Sequence, residues 1–112
     1  MPDNDERIYE VTTTAYALDD LDEICQYIAD TLQAPRSALE WYDRIVETCE
    51  SLCKFPHRFP LSRTPLLSRF NCHSVTVGNF VVFYTIDEPN QTVAIRRILY
   101  RKRDFRSITL GE

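Results

Sequence analysis

The spacing of hydrophobic residues changes twice along the chain. In Ile8-Tyr9-Glu10-Val11-Thr12 apolar and polar residues alternate among β-branched side chains, which predicts a short first strand. From Ala17 the apolar positions Ala17, Leu18, Leu21, Ile24, Cys25, Ile28 and Leu32 recur at steps of three and four, the period of one long amphipathic helix. Thr14 is placed to cap it. Asp19, Asp20, Asp22 and Glu23 lie in its first half, where the positive end of the helix dipole favours carboxylates. Gln33-Ala34-Pro35 breaks the stripe, and Pro35 suits the first position of a second helix because its missing N–H costs nothing there. That helix carries Ala38, Trp41, Tyr42, Ile45, Val46, Cys49, Leu52 and Cys53 on one face. The short connection makes the two an antiparallel hairpin, with Trp41 as a core residue.

After Phe55-Pro56 the helical period stops, and a long connection runs to about Phe70 with Lys54, Arg58, Arg63 and Arg69 along it. A connection this long is uncommon in a small domain, so it is a secondary candidate surface. Period two then returns. His73-Ser74-Val75-Thr76-Val77 predicts a strand, and Gly78-Asn79 supplies the two residues tolerant of positive φ that a tight hairpin turn requires. In the next strand Phe80, Val82, Tyr84 and Ile86 point to one face, Val81 and Phe83 to the other. Neither face is polar, so the strand is predicted to be central and covered on both sides. Glu88-Pro89-Asn90-Gln91 turns the chain into Thr92–Tyr100, whose alternation shifts phase at Arg96-Arg97-Ile98, the mark of a bulge or an edge.

The 112 residues, 44% of them hydrophobic, suit one domain whose core can hold without staples. The longest apolar runs fall short of the roughly 20 residues a membrane helix needs, and the acidic N-terminus is unlike a signal peptide. A cytoplasmic location, with no membrane partner, is the expectation. Of the four cysteines, Cys25, Cys49 and Cys53 fall on the helix stripes, where a thiol acts as a small hydrophobe, so reduced thiols are expected. The spacing Cys49-x3-Cys53-x3-His57, with Cys72-His73 beyond it, outlines a zinc set on paper. Pro56 breaks the helix before His57 and no CxxC pair exists, so neither metal nor other cofactor is expected.

Charge is sorted along the chain. The net charge is −4, yet residues 1–50 hold thirteen acidic and three basic residues, while residues 51–112 hold four acidic and ten basic ones. The basic residues culminate in Arg101-Lys102-Arg103-Asp104-Phe105-Arg106, directly after Tyr100. Clustered guanidinium groups at the end of a rigid hairpin suit phosphate or an acidic protein.

The order strand, two helices, three-stranded meander, with Tyr9, Pro35, Trp41, Arg44, Phe55-Pro56, Gly78-Asn79-Phe80 and Ile95-Arg96-Arg97-Ile98-Leu99-Tyr100-Arg101-Lys102-Arg103-Asp104 at their intervals, resembles the RelE/ParE family of bacterial toxins over roughly residues 8–106. The resemblance implies an α+β fold, with an N-terminal strand and a helical hairpin packed on an antiparallel sheet of three to four strands. It implies a toxin of a type II toxin–antitoxin pair, neutralised by a cognate antitoxin. Some members cleave messenger RNA in the ribosome, whereas others poison DNA gyrase without being enzymes.

Cleavage by 2′-hydroxyl attack needs a proton acceptor, a phosphate stabiliser and a proton donor for the leaving oxygen. In this chain Tyr100, His73, Arg97, Arg101 and Arg103 are the candidates for those roles, whereas Arg97, Tyr100, Arg101, Arg103 and Arg106 are the candidates for target or antitoxin contact. The strand before the Gly-Asn turn, Ser74-Val75-Thr76-Val77, lacks the arginine of the ribonuclease branch, and no tyrosine follows Arg106. A net acidic chain also forgoes the counterion release that draws basic nucleases to the ribosome. Gyrase inhibition is therefore the first expectation. The alternatives are messenger RNA cleavage and a non-toxic binding module that keeps the fold.

Overall fold

The structure, a computed structural model, describes residues 8–105 and 108–110. Its elements are β1 (Glu10–Thr13), α1 (Ala15–Gln26, continued by a π-helical turn Tyr27–Thr31), α2 (Pro35–Ser51), α3 (Pro65–Ser68), β2 (His73–Val77), β3 (Phe80–Asp87) and β4 (Thr92–Tyr100). One sheet runs in the order β1-β4-β3-β2. The β2–β3 and β3–β4 pairs are antiparallel, as the two tight turns dictate. β1 lies parallel to β4, so the four-stranded sheet is mixed where an antiparallel one was expected. A parallel pair needs a crossover, which the intervening helices and hairpin provide.

Both faces of β3 are covered. Phe80, Val82 and Tyr84 join Val77, Ile95 and Ile98 against Leu21, Ile24, Ile28, Ala38 and Ile45 of the helical hairpin. On the opposite face Val81, Phe83 and Leu99 are closed over by Leu67, Cys72 and Ile108, with Phe105 and Leu110 alongside. The expected bulge is present in β4: Phe83 faces Arg97 while Tyr84 faces Ile95, leaving Arg96 as the extra residue.

The helical stripes are buried only in part. Leu18, Leu32 and Tyr42 are exposed, Leu18 and Tyr42 along a groove that the two helices form with β1. The connection after α2 is more structured than its sequence suggests. Pro56–Arg58 forms a 3₁₀ turn, Leu61 bridges to His73, and Ser62 N–H donates to Cys72 O at 2.7 Å. Arg58, read as part of a basic surface, instead caps α2 by donating to the carbonyls of Ser51 and Phe55 and to Ser51 Oγ. All four cysteines are free thiols. Burial pushes Cys49 up to about 12 and Cys72 up to about 11.

Candidate functional site

The open end of the sheet is built on the Gly78-Asn79 turn. Gly78 has φ +60, and a Cβ there would stand 2.3 Å from Trp41 Cη2, so only glycine lets the turn meet the indole. Trp41 packs edge-on against Phe80 at 5.1 Å, and Phe80 against Tyr100 at 4.8 Å. Arg44 lies over the outer face of Trp41, 4.2 Å from its centroid. The strand ends as Arg101 N–H donates to Asn79 O and Arg103 N–H turns back to Tyr100 O, leaving Arg101, Lys102 and Arg103 exposed. This corner is cationic and aromatic, and it is fixed from beneath by packed rings.

Its outer edge is held by α1. Thr14 takes over from β1: its N–H and Oγ1 donate to Ile95 O, and Oγ1 also accepts from Ala17 N–H as the helix cap. Six residues on, the buried carboxylate of Asp20 accepts from Ile98 N–H at 2.9 Å, and from Arg97 Nε at 2.7 Å and Nη2 at 2.9 Å. Arg97 Nη1 donates to Thr109 O, tying the C-terminal segment to the same point. The hydrogen bonds to Asp20 hold the Arg97 pKa above the ordinary arginine value.

The candidates from the sequence therefore part company. Tyr100 and Arg103 line one groove, and Arg101 is exposed in the turn between them. Arg97, expected on that surface, is turned into a bidentate ion pair whose partners are 14% and 9% exposed, because the free edge of β4 puts Asp20 within its reach. Arg106 lies outside the described residues. His73 sits opposite Tyr84, four residues along β3 from the Phe80–Tyr100 pair and so roughly 13 Å away. Its ring stacks on Tyr84 at 5.3 Å and its Nδ1 meets Phe59 O at 2.7 Å. Tyr100, which would need its pKa lowered to deliver a proton, has it raised by burial and then by the neighbouring Tyr27. Among the described residues no three His, Cys, Asp or Glu side chains are grouped to hold a metal ion.

One participant escaped the sequence reading. Tyr27 lines a groove of about 280 Å³ with Asp20, Glu23, Ile24, Ile98, Leu99, Tyr100 and Arg103. Its out-of-phase place on the helix stripe was the available signal, since a large aromatic beside a stripe lies at its boundary.

Comparison with known proteins agrees with this fold. One solved structure that the chain resembles is from the chromosomal ParDE toxin–antitoxin system of P. aeruginosa, with a TM-score of 0.69 and 21% identity, covering 85% of this chain and 98% of that one. Another is from the toxin–antitoxin complex RelBE2 of Mycobacterium tuberculosis, with a TM-score of 0.62 and 25% identity, covering 90% of this chain and all of that one. No curated protein sequence matches. The sequence model of the ParE toxin of type II toxin–antitoxin systems, parDE, matches residues 11–105, which spans every element from β1 through the basic turn after β4, and the chain belongs to that toxin family.

Proposed function

We propose that this toxin arrests growth by binding DNA gyrase through the Tyr100, Arg101 and Arg103 corner, without cutting nucleic acid, and that a cognate antitoxin neutralises it by covering that corner. The observation that carries the reading is the separation of the residues that message cleavage would need together. His73 is engaged at the far end of β3, Arg97 is paired with Asp20, and the Tyr100 phenol is pushed the wrong way for an acid. What remains is exposed, cationic and anchored from below, which suits recognition rather than proton transfer. The antitoxin part draws support from the two structural relatives, both from toxin–antitoxin systems. Among the described residues no helix is long and apolar enough to cross a membrane.

The test compares two assays on purified protein. Loss of gyrase supercoiling with intact message is expected. Cuts mapped within the ribosomal A-site codon would replace this reading by messenger RNA cleavage. No effect in either assay, with normal growth on expression alone, would leave a binding module that keeps only the fold.

A further inference from the structure

β1 ends opposite Ile95, and beyond that point no described strand flanks β4 on the side away from β3. Ile98 N–H points outward to Asp20, and Arg101 N–H points inward to Asn79 O. Strand alternation therefore aims Ile98 C=O and Tyr100 N–H at the open edge. Beside this edge α1 departs from regular winding. Leu32 N–H reaches back to Tyr27 O, five residues away, in the π turn that Tyr27 opens. Such turns recur at functional sites because they reset the direction of the side chains that follow an ordinary helix. Tyr27 and Tyr100 stand along one groove, 46% and 41% exposed, each presenting an apolar ring face with a polar tip.

The groove's chemistry narrows its occupant. About 280 Å³ accommodates little more than one large side chain, below the span of most small-molecule sites. Arg97 already matches the charge of Asp20, so the cations open to a ligand are those of the turn after β4. Those cations are local. Glu23 lines the groove itself and Asp19 and Asp22 are exposed on the helix face beyond it, so a nucleic acid, with its continuous charge, would run onto them. A short protein segment can set an apolar side chain in the groove and keep its own carboxylates at the cationic turn, ending within a Debye length, roughly 8 Å, of it.

Resting on the reading that the corner contacts a target protein, we propose that this groove receives one apolar side chain of an acidic, extended segment of that target. Tyr27 and Tyr100 form its walls, Arg101 and Arg103 engage the flanking carboxylates, and the open edge of β4 offers the segment main-chain hydrogen bonds.

The test uses full-length Tyr27→Ala, Tyr27→Phe and Arg103→Glu, scored by growth arrest on induction and by gyrase supercoiling. Tyr27→Ala and Arg103→Glu are expected to weaken both effects at least tenfold with unchanged melting temperature, while Tyr27→Phe retains them. Polyglutamate is expected to compete with the target and a single-stranded oligonucleotide is not. Growth arrest that depends on Tyr27 while gyrase is untouched would keep the groove and remove gyrase as its target. Full toxicity of Tyr27→Ala, Tyr27-dependent binding of the oligonucleotide, or a wild-type chain that neither arrests growth nor inhibits gyrase would overturn the proposal.

Discussion

The two ends of the sheet use similar residues for opposite purposes. At one end Glu88 accepts from Tyr9 Oη at 2.9 and 3.1 Å and meets His57 Nε2, His57 stands edge-on to His73, His73 stacks on Tyr84, and Tyr84 Oη donates to Pro56 O at 2.6 Å. These contacts join segments up to 79 residues apart in sequence, so tyrosine and histidine serve there as fasteners. At the other end Tyr100, Arg101 and Arg103 face outward on a support of Phe80 and Trp41. A tyrosine or histidine in this fold is thus informative only once its partners are known. Residues at the fastened end should affect stability, and those at the open end should affect toxicity.

The largest test falls on the residue that secures the open edge. Asp20→Ala leaves Arg97 and Ile98 N–H without their buried acceptor and should cost about 3–5 kcal/mol, measured by chemical denaturation. A cost near zero would mean the open end needs no such anchor. Gly78→Ala should follow at about 2–4 kcal/mol, because it combines an unfavourable positive φ with a collision against Trp41.

At the fastened end Tyr84→Phe should cost about 1 kcal/mol through its lost hydrogen bond. Burial pushes the Tyr84 phenol up to about 12 from 10.0, so the folded chain keeps a proton that the unfolded chain releases. Stability should therefore fall as pH rises from about 10 to about 12, and Tyr84→Phe should remove that part of the decline in an alkaline titration. Smallest in stability is the double substitution Arg101→Ala with Arg103→Ala, expected within about 0.5 kcal/mol of the parent while abolishing growth arrest. A stability loss comparable to that of Tyr84→Phe would erase the contrast between the ends.

Much of the architecture was legible because its causes are local. Gly78-Asn79 announces the turn, the phase shift at Arg96 announces the bulge, and apolar residues on both faces of β3 announce its two layers. What escaped depends on distant partners. Nothing near Arg97 in sequence reveals Asp20, 77 residues away, so a buried pair looked like part of an exposed cluster. The parallel docking of β1 is equally silent, since alternation marks a strand but not its neighbour. The π turn that Tyr27 opens is silent as well, because Ile28 inside it is buried and the apolar stripe keeps an ordinary helical spacing in the sequence.

The pairing of Glu10–Thr13 with Thr92–Ile95 also bears on when the protein becomes harmful. The amino-terminal strand is made well before the edge it joins, so β1 docks only after the helices and the hairpin between them have been placed. Closure of the sheet up to Ile95 is therefore a late, non-local step of folding, and the order in which the chain folds, rather than the order in which it is made, decides when the turn after β4 stands on a finished sheet.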